Sequence, residues 1–93
     1  MLAIAFDMVV EKLDQHHPKS VSQAYTDIRL VLKPHGFENI QGSVYINRAA
    51  EDHFAVILNV VRDLRALPWF GKCVRDIRVF RAEQWSDITN QFS

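Results

Sequence analysis

The first stretch of the chain, residues 2–10, is apolar at every position except Asp7. Rich in β-branched and aromatic side chains and free of Gly and Pro, it predicts a strand. Its even positions (Leu2, Ile4, Phe6, Met8, Val10) and its odd ones (Ala3, Ala5, Val9) are both apolar. A strand with one face in water alternates, so this one is expected to be covered on both sides. Residues 11–19 are polar, and His16, His17 and Pro18 mark a loop. Ser20 stands three residues before Gln23, a capping-box spacing, and Val21, Ala24, Tyr25, Ile28, Val31 and Leu32 then recur at helical intervals. Pro34 and Gly36 end that helix. Residues 37–41 and 43–47 read as two short strands in a hairpin turning at Gln41–Gly42. A second helix is expected over 49–66, with Phe54, Ile57, Leu58, Val61 and Leu64 on one stripe, Asn47 as its cap and Pro68 beyond its end. Residues 73–82 form a fourth strand with charges on both faces, which leaves its buried side undecided. The tail 83–93 carries Trp85, Ile88 and Phe92, and should pack on the domain or on a partner.

Strand–helix–strand–strand–helix–strand is the ferredoxin-like βαββαβ order of an α+β sandwich. Two helices lie on one face of a four-stranded antiparallel sheet in that arrangement. The opposite face is then bare, although the first strand is apolar on both sides. A second copy is the simplest cover, which predicts a sheet-to-sheet homodimer.

Ninety-three residues suit a single domain, and 48% hydrophobic with 24% charged residues is ordinary globular composition. One cysteine, Cys73, forms no internal disulfide and no cysteine zinc site, which fits a reducing compartment. Residues 1–6 have no basic leader and meet Asp7 at once, so neither a signal peptide nor a membrane span is expected, and the cytoplasm is the default. The net charge of zero gives no global attraction to nucleic acid. Its distribution is less even: Lys72, Arg75, Arg78 and Arg81 fall within ten residues holding one acid, Asp76, while residues 83–93 hold Glu83 and Asp87 and no base. Such a stripe can meet phosphates. The plainer reading, a charged edge strand that resists aggregation, is the one the residues alone favour.

Asp7 is the outstanding candidate for chemistry. A carboxylate on the second face of a doubly apolar strand is costly to bury unless paired, metal-bound or protonated. A salt bridge to Arg75 or Arg78 would explain it structurally. Asp76 interrupts its own strand in the same way, and the topology makes the two strands neighbours. Two acids and several arginines near a two-fold axis can form a phosphodiester site, and a structural ion-pair network accounts for them equally well. The remaining candidates are weaker. His16 and His17 are adjacent, not spaced as zinc ligands, and read as solvated; His35 and His53 have no ligand-spaced partner. Ser43 after Gly42 suits a turn, with a phosphate contact as the second choice. Asp27, Glu51 and Asp63 read as helix-surface solvation, and Trp69, Phe70 and Trp85 as core or interface. No phosphate-cradling glycine loop is present, so a nucleotide cofactor is not expected.

Four spaced blocks carry a resemblance: Leu-Ala-Ile-Ala-Phe-Asp at 2–7, Gln-Gly-Ser-Val-Tyr-Ile-Asn at 41–47, Cys-Val-Arg-Asp-Ile-Arg at 73–78 and Trp-Ser-Asp at 85–87. In one register over essentially the whole chain, they resemble the virulence-associated protein D family. The resemblance implies a ferredoxin-like homodimer similar to the small CRISPR-associated adaptation proteins, with endoribonuclease activity. It also implies, for some members, a toxin neutralised by a small antitoxin protein. By position Asp7 matches the first-strand aspartate tied to cleavage, and Ser43 and Asp76 match other site positions. Cys73 in place of a serine and Leu2 in place of a tyrosine depart from the pattern without touching an acid. The expectation is therefore a dimeric endoribonuclease with Asp7, Asp76 and Ser43 at the site and Arg75, Arg78 or Arg81 on the RNA backbone. Asp7 either binds a divalent ion, Mg2+ by preference, or acts as acid/base without one. The alternative is a nucleic-acid-binding or protein-interaction module of the same fold without catalysis.

Overall fold

The structure, a computed structural model, describes residues 1–49, 53–84 and 86–92, with the side chains of His53 and Phe54 outside that description. Its sheet is open, four-stranded and antiparallel, in the order β2-β3-β1-β4, where β1 is Leu2–Met8, β2 Glu38–Gln41, β3 Val44–Asn47 and β4 Val74–Arg81. With helices packed on one side, this α+β arrangement is compatible with the ferredoxin-like order expected. The period of two in a strand sends Leu2, Ile4, Phe6 and Met8 into one core. There they meet Leu13, Ala24, Ile28, Leu32, Tyr45, Val60, Leu64, Trp69, Phe70 and Cys73. Phe6 stacks on Tyr45 across the sheet, ring centroids 5.8 Å apart.

The polar stretch after the first strand is not a loop. Residues Val10–His16 form a helix, α1, whose only fully buried side chain is Leu13. A single inward apolar position makes no periodic signal, so tertiary packing decided the helix. His17 is also not solvated: its side chain is 1% exposed. Its Nδ1 accepts hydrogen bonds from the backbone N–H groups of Lys19 and Ser20, at 3.0 and 3.2 Å. Its Nε2–H therefore donates to Asp27 Oδ2 at 2.8 Å, and its ring meets Trp69 edge-on.

Helix α2 (Val21–Leu32) starts as the capping spacing predicts, with Ser20 Oγ accepting from Gln23 N at 3.0 Å. A 3-10 turn, Lys33–His35, follows, and Gly36 closes it at φ 85°, a left-handed conformation that suits glycine. Asn47 joins the parts on either side: its amide donates to His35 O, and its Oδ1 accepts from Ala49 N, both at 2.9 Å. The hairpin turns at Gly42, φ 42°. Helix α3 is described over His53–Arg65 and buries Val60 and Leu64; its expected beginning, the role of Glu51 and the packing of Phe54 lie outside the described residues. A short helix α4, Phe70–Cys73, leads into β4. No helix among the described residues is long and apolar enough to cross a membrane.

Strand β4 is an edge, and its residues 75–81 are exposed throughout. Register places Ile77 and Val79 on the helix side, opposite Phe6 and Ile4, yet they remain 40% and 38% exposed because the helix layer stops short of this edge. On the helix-free face a single copy already buries Ala3 between Ile46 and Phe80, and Ile46 itself, at 1% and 2% exposure. Phe80 stays 48% exposed there. The tail is not anchored as far as its described residues go. Ile88 and Phe92 are 60% and 83% exposed, beside Ile40 and Gln41, and Trp85 lies outside the described residues.

Candidate active site

Antiparallel register puts Asp7 of β1 directly opposite Asp76 of β4. Paired residues share a sheet face, so both carboxylates project from the helix-free side, with Cβ atoms about 4.5–5.5 Å apart. The ladder slips at the next position, where Met8 pairs with Val74 and Arg75 is left over as a bulge. The bulge brings Arg75 Nη1 to 3.5 Å from Asp7 Oδ2. Arg78, two residues along the same face, sets its Nε 3.0 Å from Asp76 Oδ2. Two acids and two guanidiniums thus form one exposed patch, the side chains of Asp7 and Asp76 being 59% and 49% accessible. The cost of burying Asp7 does not arise, because the apolar cover of this face ends before it.

The other expected residues are placed differently. Ser43 lies across β1 from Asp76: its carbonyl accepts from Phe6 N at 3.1 Å, one residue from Asp7. Its hydroxyl makes no hydrogen bond to either acid among the described residues. Arg81 pairs with Leu2 at the far end of β4, and five residues of strand separate it from Asp76 by about 17 Å. By alternation it also projects from the opposite face.

Like charges directly opposite in a sheet repel. Here each acid is neutralised by its own arginine, and exposed pairs of this kind are worth about 0–1 kcal/mol, so stability gives little reason for the arrangement. The donor set suits a hard cation: two carboxylates, reachable from solvent, with no thiolate or imidazole between them. No cluster of three or more His, Cys, Asp or Glu side chains exists among the described residues, so solvent or substrate oxygens would complete any coordination shell.

Two carboxylates read as solvation are instead paired. Asp63 Oδ2 lies 2.6 Å from His35 Nε2, and that hydrogen bond holds the Asp63 carboxyl below its usual range. Asp27 is lowered chiefly by its bond with His17, then by Gln23. Both pairs fasten helices on the other side of the sheet. Sequence spacing could not reveal them, since His35 and Asp63 are 28 residues apart.

No profile of a known family matches the chain. Individual relatives match it closely. An Endoribonuclease VapD homolog of Neisseria gonorrhoeae is 50% identical over 97% of this chain and 96% of its own length. Endoribonuclease VapD of Haemophilus influenzae is 49% identical, covering 97% and 96%. Endoribonuclease VapD of Helicobacter pylori is 42% identical over 96% and 95%. Identity at this level, end to end, agrees with the four blocks read from the sequence, and the chain belongs to the VapD endoribonuclease family.

Proposed function

We propose that the chain is an endoribonuclease whose cleavage site is centred on Asp7 and Asp76. The observation that carries this reading is their direct pairing on an exposed sheet face, with Arg75 and Arg78 alongside, in a chain of the VapD family. The arginines are positioned to exchange a carboxylate for an RNA phosphate, which fixes the backbone beside the acids. Asp7, freed from Arg75 by that exchange, is available as general base or as a cation ligand. Magnesium is the ion the two carboxylates favour, because it binds through one or two carboxylates and keeps its waters; it would supply water activation and charge neutralisation. Ser43, near the turn on the other side of β1, would contact phosphate.

The working unit in this reading is a cytoplasmic homodimer, supported by the exposed apolar residues along β4. Its physiological role is the toxin of a pair with a small antitoxin protein. A small open reading frame overlapping the gene would favour that role.

The test of cleavage is direct. Purified protein should cut single-stranded RNA, and Asp7→Asn should lose the activity while keeping the parent's circular dichroism and melting curve. Undiminished cutting by the folded variant removes Asp7 from the site. RNA binding that falls with salt, without any cutting by the parent, would favour the non-catalytic reading, for which the acid–arginine pairs are purely structural.

A further inference from the structure

The acid pair sits at the end of the sheet where two helices meet. β1 runs from Asp7 through Met8 and Val9 into α1, and β4 reaches Asp76 from α4, so antiparallel pairing sets both helices at that end. Val9 N donates to Cys73 O at 2.8 Å, and α1 packs against α4. Each helix presents an exposed lysine there, Lys12 on α1 and Lys72 on α4. Burial raises the Cys73 thiol, and the charges of Lys12 and Lys72 both act against that rise, which places the two ammonium groups around one sulfur. His16, one turn along α1 from Lys12, shares a shallow surface depression with Lys72, and no acid lines it. Lys12 follows Asp7 by five residues and Lys72 precedes Asp76 by four, so their Cα atoms lie at most about 18 and 14 Å from those acids. Neither lysine belongs to an ion pair among the described residues. Glu11 and Asp14, one and two residues from Lys12, do not share its side of the helix. Lys12 also stands in the first turn of α1, the end at which the helix dipole disfavours a cation. Stability gives no account of it.

We propose that single-stranded RNA leaves the Asp7–Asp76 pair across the α1–α4 end of the sheet, with its phosphates on Arg75, Lys72 and Lys12 in turn. This rests on the acid pair being the cleavage site and adds the path of the strand beyond it. Arg75 is the link: it contacts Asp7 from the bulge and stands three residues from Lys72, at most about 11 Å between Cα atoms. In the other direction the cations do not continue, because Arg78 is held by Asp76 and Arg81 projects from the opposite face. The path also selects the form of the nucleic acid. The acids project from the helix-free face, whereas α1 and α4 belong to the helix layer, so a bound strand turns over the end of the sheet. A single strand follows such a turn; a duplex, with a persistence length of about 50 nm for DNA, does not. Lysine meets phosphate as a point charge, so these contacts fix where the strand lies and not which bases it carries.

The probe is a fluorescein-labelled oligouridine of about 12 nucleotides, within the span of a single-strand site, read by anisotropy at several salt concentrations. Binding is measured on full-length Asp7→Asn protein, which is expected to leave the RNA intact, and cleavage with the parent acids in place. Lys12→Ala and Lys72→Ala should each lower the slope of log affinity against log salt by about 0.7, the loss of one single-strand phosphate contact, and together by about 1.4. Lys12→Arg and Lys72→Arg should keep the parent slope. In cleavage the alanine changes should appear in KM and not in kcat, since they remove binding shared by ground and transition states. Lys33→Ala deletes the same charge at the other end of the sheet, beside Asn47, which pairs with Leu2, and should alter neither slope nor KM. All three lysines are exposed, and circular dichroism checks each fold. Lys12 and Lys72 variants that keep the parent slope overturn the path. A Lys33→Ala slope that falls as far as theirs also overturns it, because the attraction is then a general one. A parent that cuts RNA while both lysines are silent loses the path and keeps the acid site. A protein that binds through both lysines and never cuts keeps the contacts and overturns the cleavage site.

Discussion

Asp7 and Asp76 face each other across the β1–β4 ladder, one position before the bulge that releases Arg75 towards Asp7. Register makes the acid pair, and the slip in register supplies one of its cations. A site of this kind is sensitive to charge and insensitive to packing, because all four side chains are exposed.

Replacing either acid should therefore act on chemistry alone. Asp7→Asn and Asp76→Asn are each expected to lower RNA cleavage by about 10²–10⁴-fold, the range of a lost general acid or base. Stability should move by no more than about 0.5 kcal/mol, since surface changes seldom do more. Urea denaturation beside a gel-based cleavage assay checks both halves.

The ends of the RNA products discriminate the two chemical routes. Cleavage supported by a divalent ion should stop with chelator, resume with magnesium and leave 5′-phosphate and 3′-hydroxyl ends. Attack by the neighbouring 2′-hydroxyl would instead resist chelator, leave a 2′,3′-cyclic phosphate and fail on a 2′-deoxy substrate. The acid pair favours the first outcome.

The arginines should separate by position. Arg75→Ala and Arg78→Ala are each expected to reduce the slope of log affinity against log salt by about 1, as loss of one phosphate contact does. Arg81→Ala, about 17 Å along β4 and on the other face, should change RNA affinity less than about twofold. Filter binding at several salt concentrations gives the slopes.

Two structural predictions concern the helix layer. His17→Ala removes hydrogen bonds to Lys19 N, Ser20 N and Asp27 together and should cost about 2–3 kcal/mol. The Asp27 carboxyl, held below its ordinary value of 3.8 chiefly by His17, contributes stability that is complete above that value and fades as pH falls through its lower folded one. Asp27→Asn should flatten the loss of urea midpoint below about pH 4.

Gly36→Ala should be the more damaging of two glycine changes. Its φ of 85° strains any other residue, and a Cβ there would stand 2.7 Å from Asn47 Nδ2, so about 1–3 kcal/mol is expected. Gly42, φ 42° with nothing within 4 Å of a Cβ, meets only the backbone term and should cost about 1 kcal/mol. Thermal melts of the two variants rank them.

The sequence by itself determined the parts that local chemistry controls. The doubly apolar run interrupted at Asp7, the Ser20 cap, the Gly36 stop and the hairpin at Gly42 each rest on neighbours a few residues away, and so could be read along the chain. Four blocks in register were enough to point to the family. Tertiary structure alone decided what depends on distant partners. Residues 11–16 became helical because one leucine, Leu13, reached the core, a signal too sparse for periodicity. His17 and Asp27, His35 and Asp63 found each other through the packing of helices that sequence spacing does not relate. The pairing of Asp7 with Asp76 required the register between strands some 70 residues apart, which the β1–β4 ladder fixes and no local spacing reveals. The bulge at Arg75 then decided which arginine reached which acid.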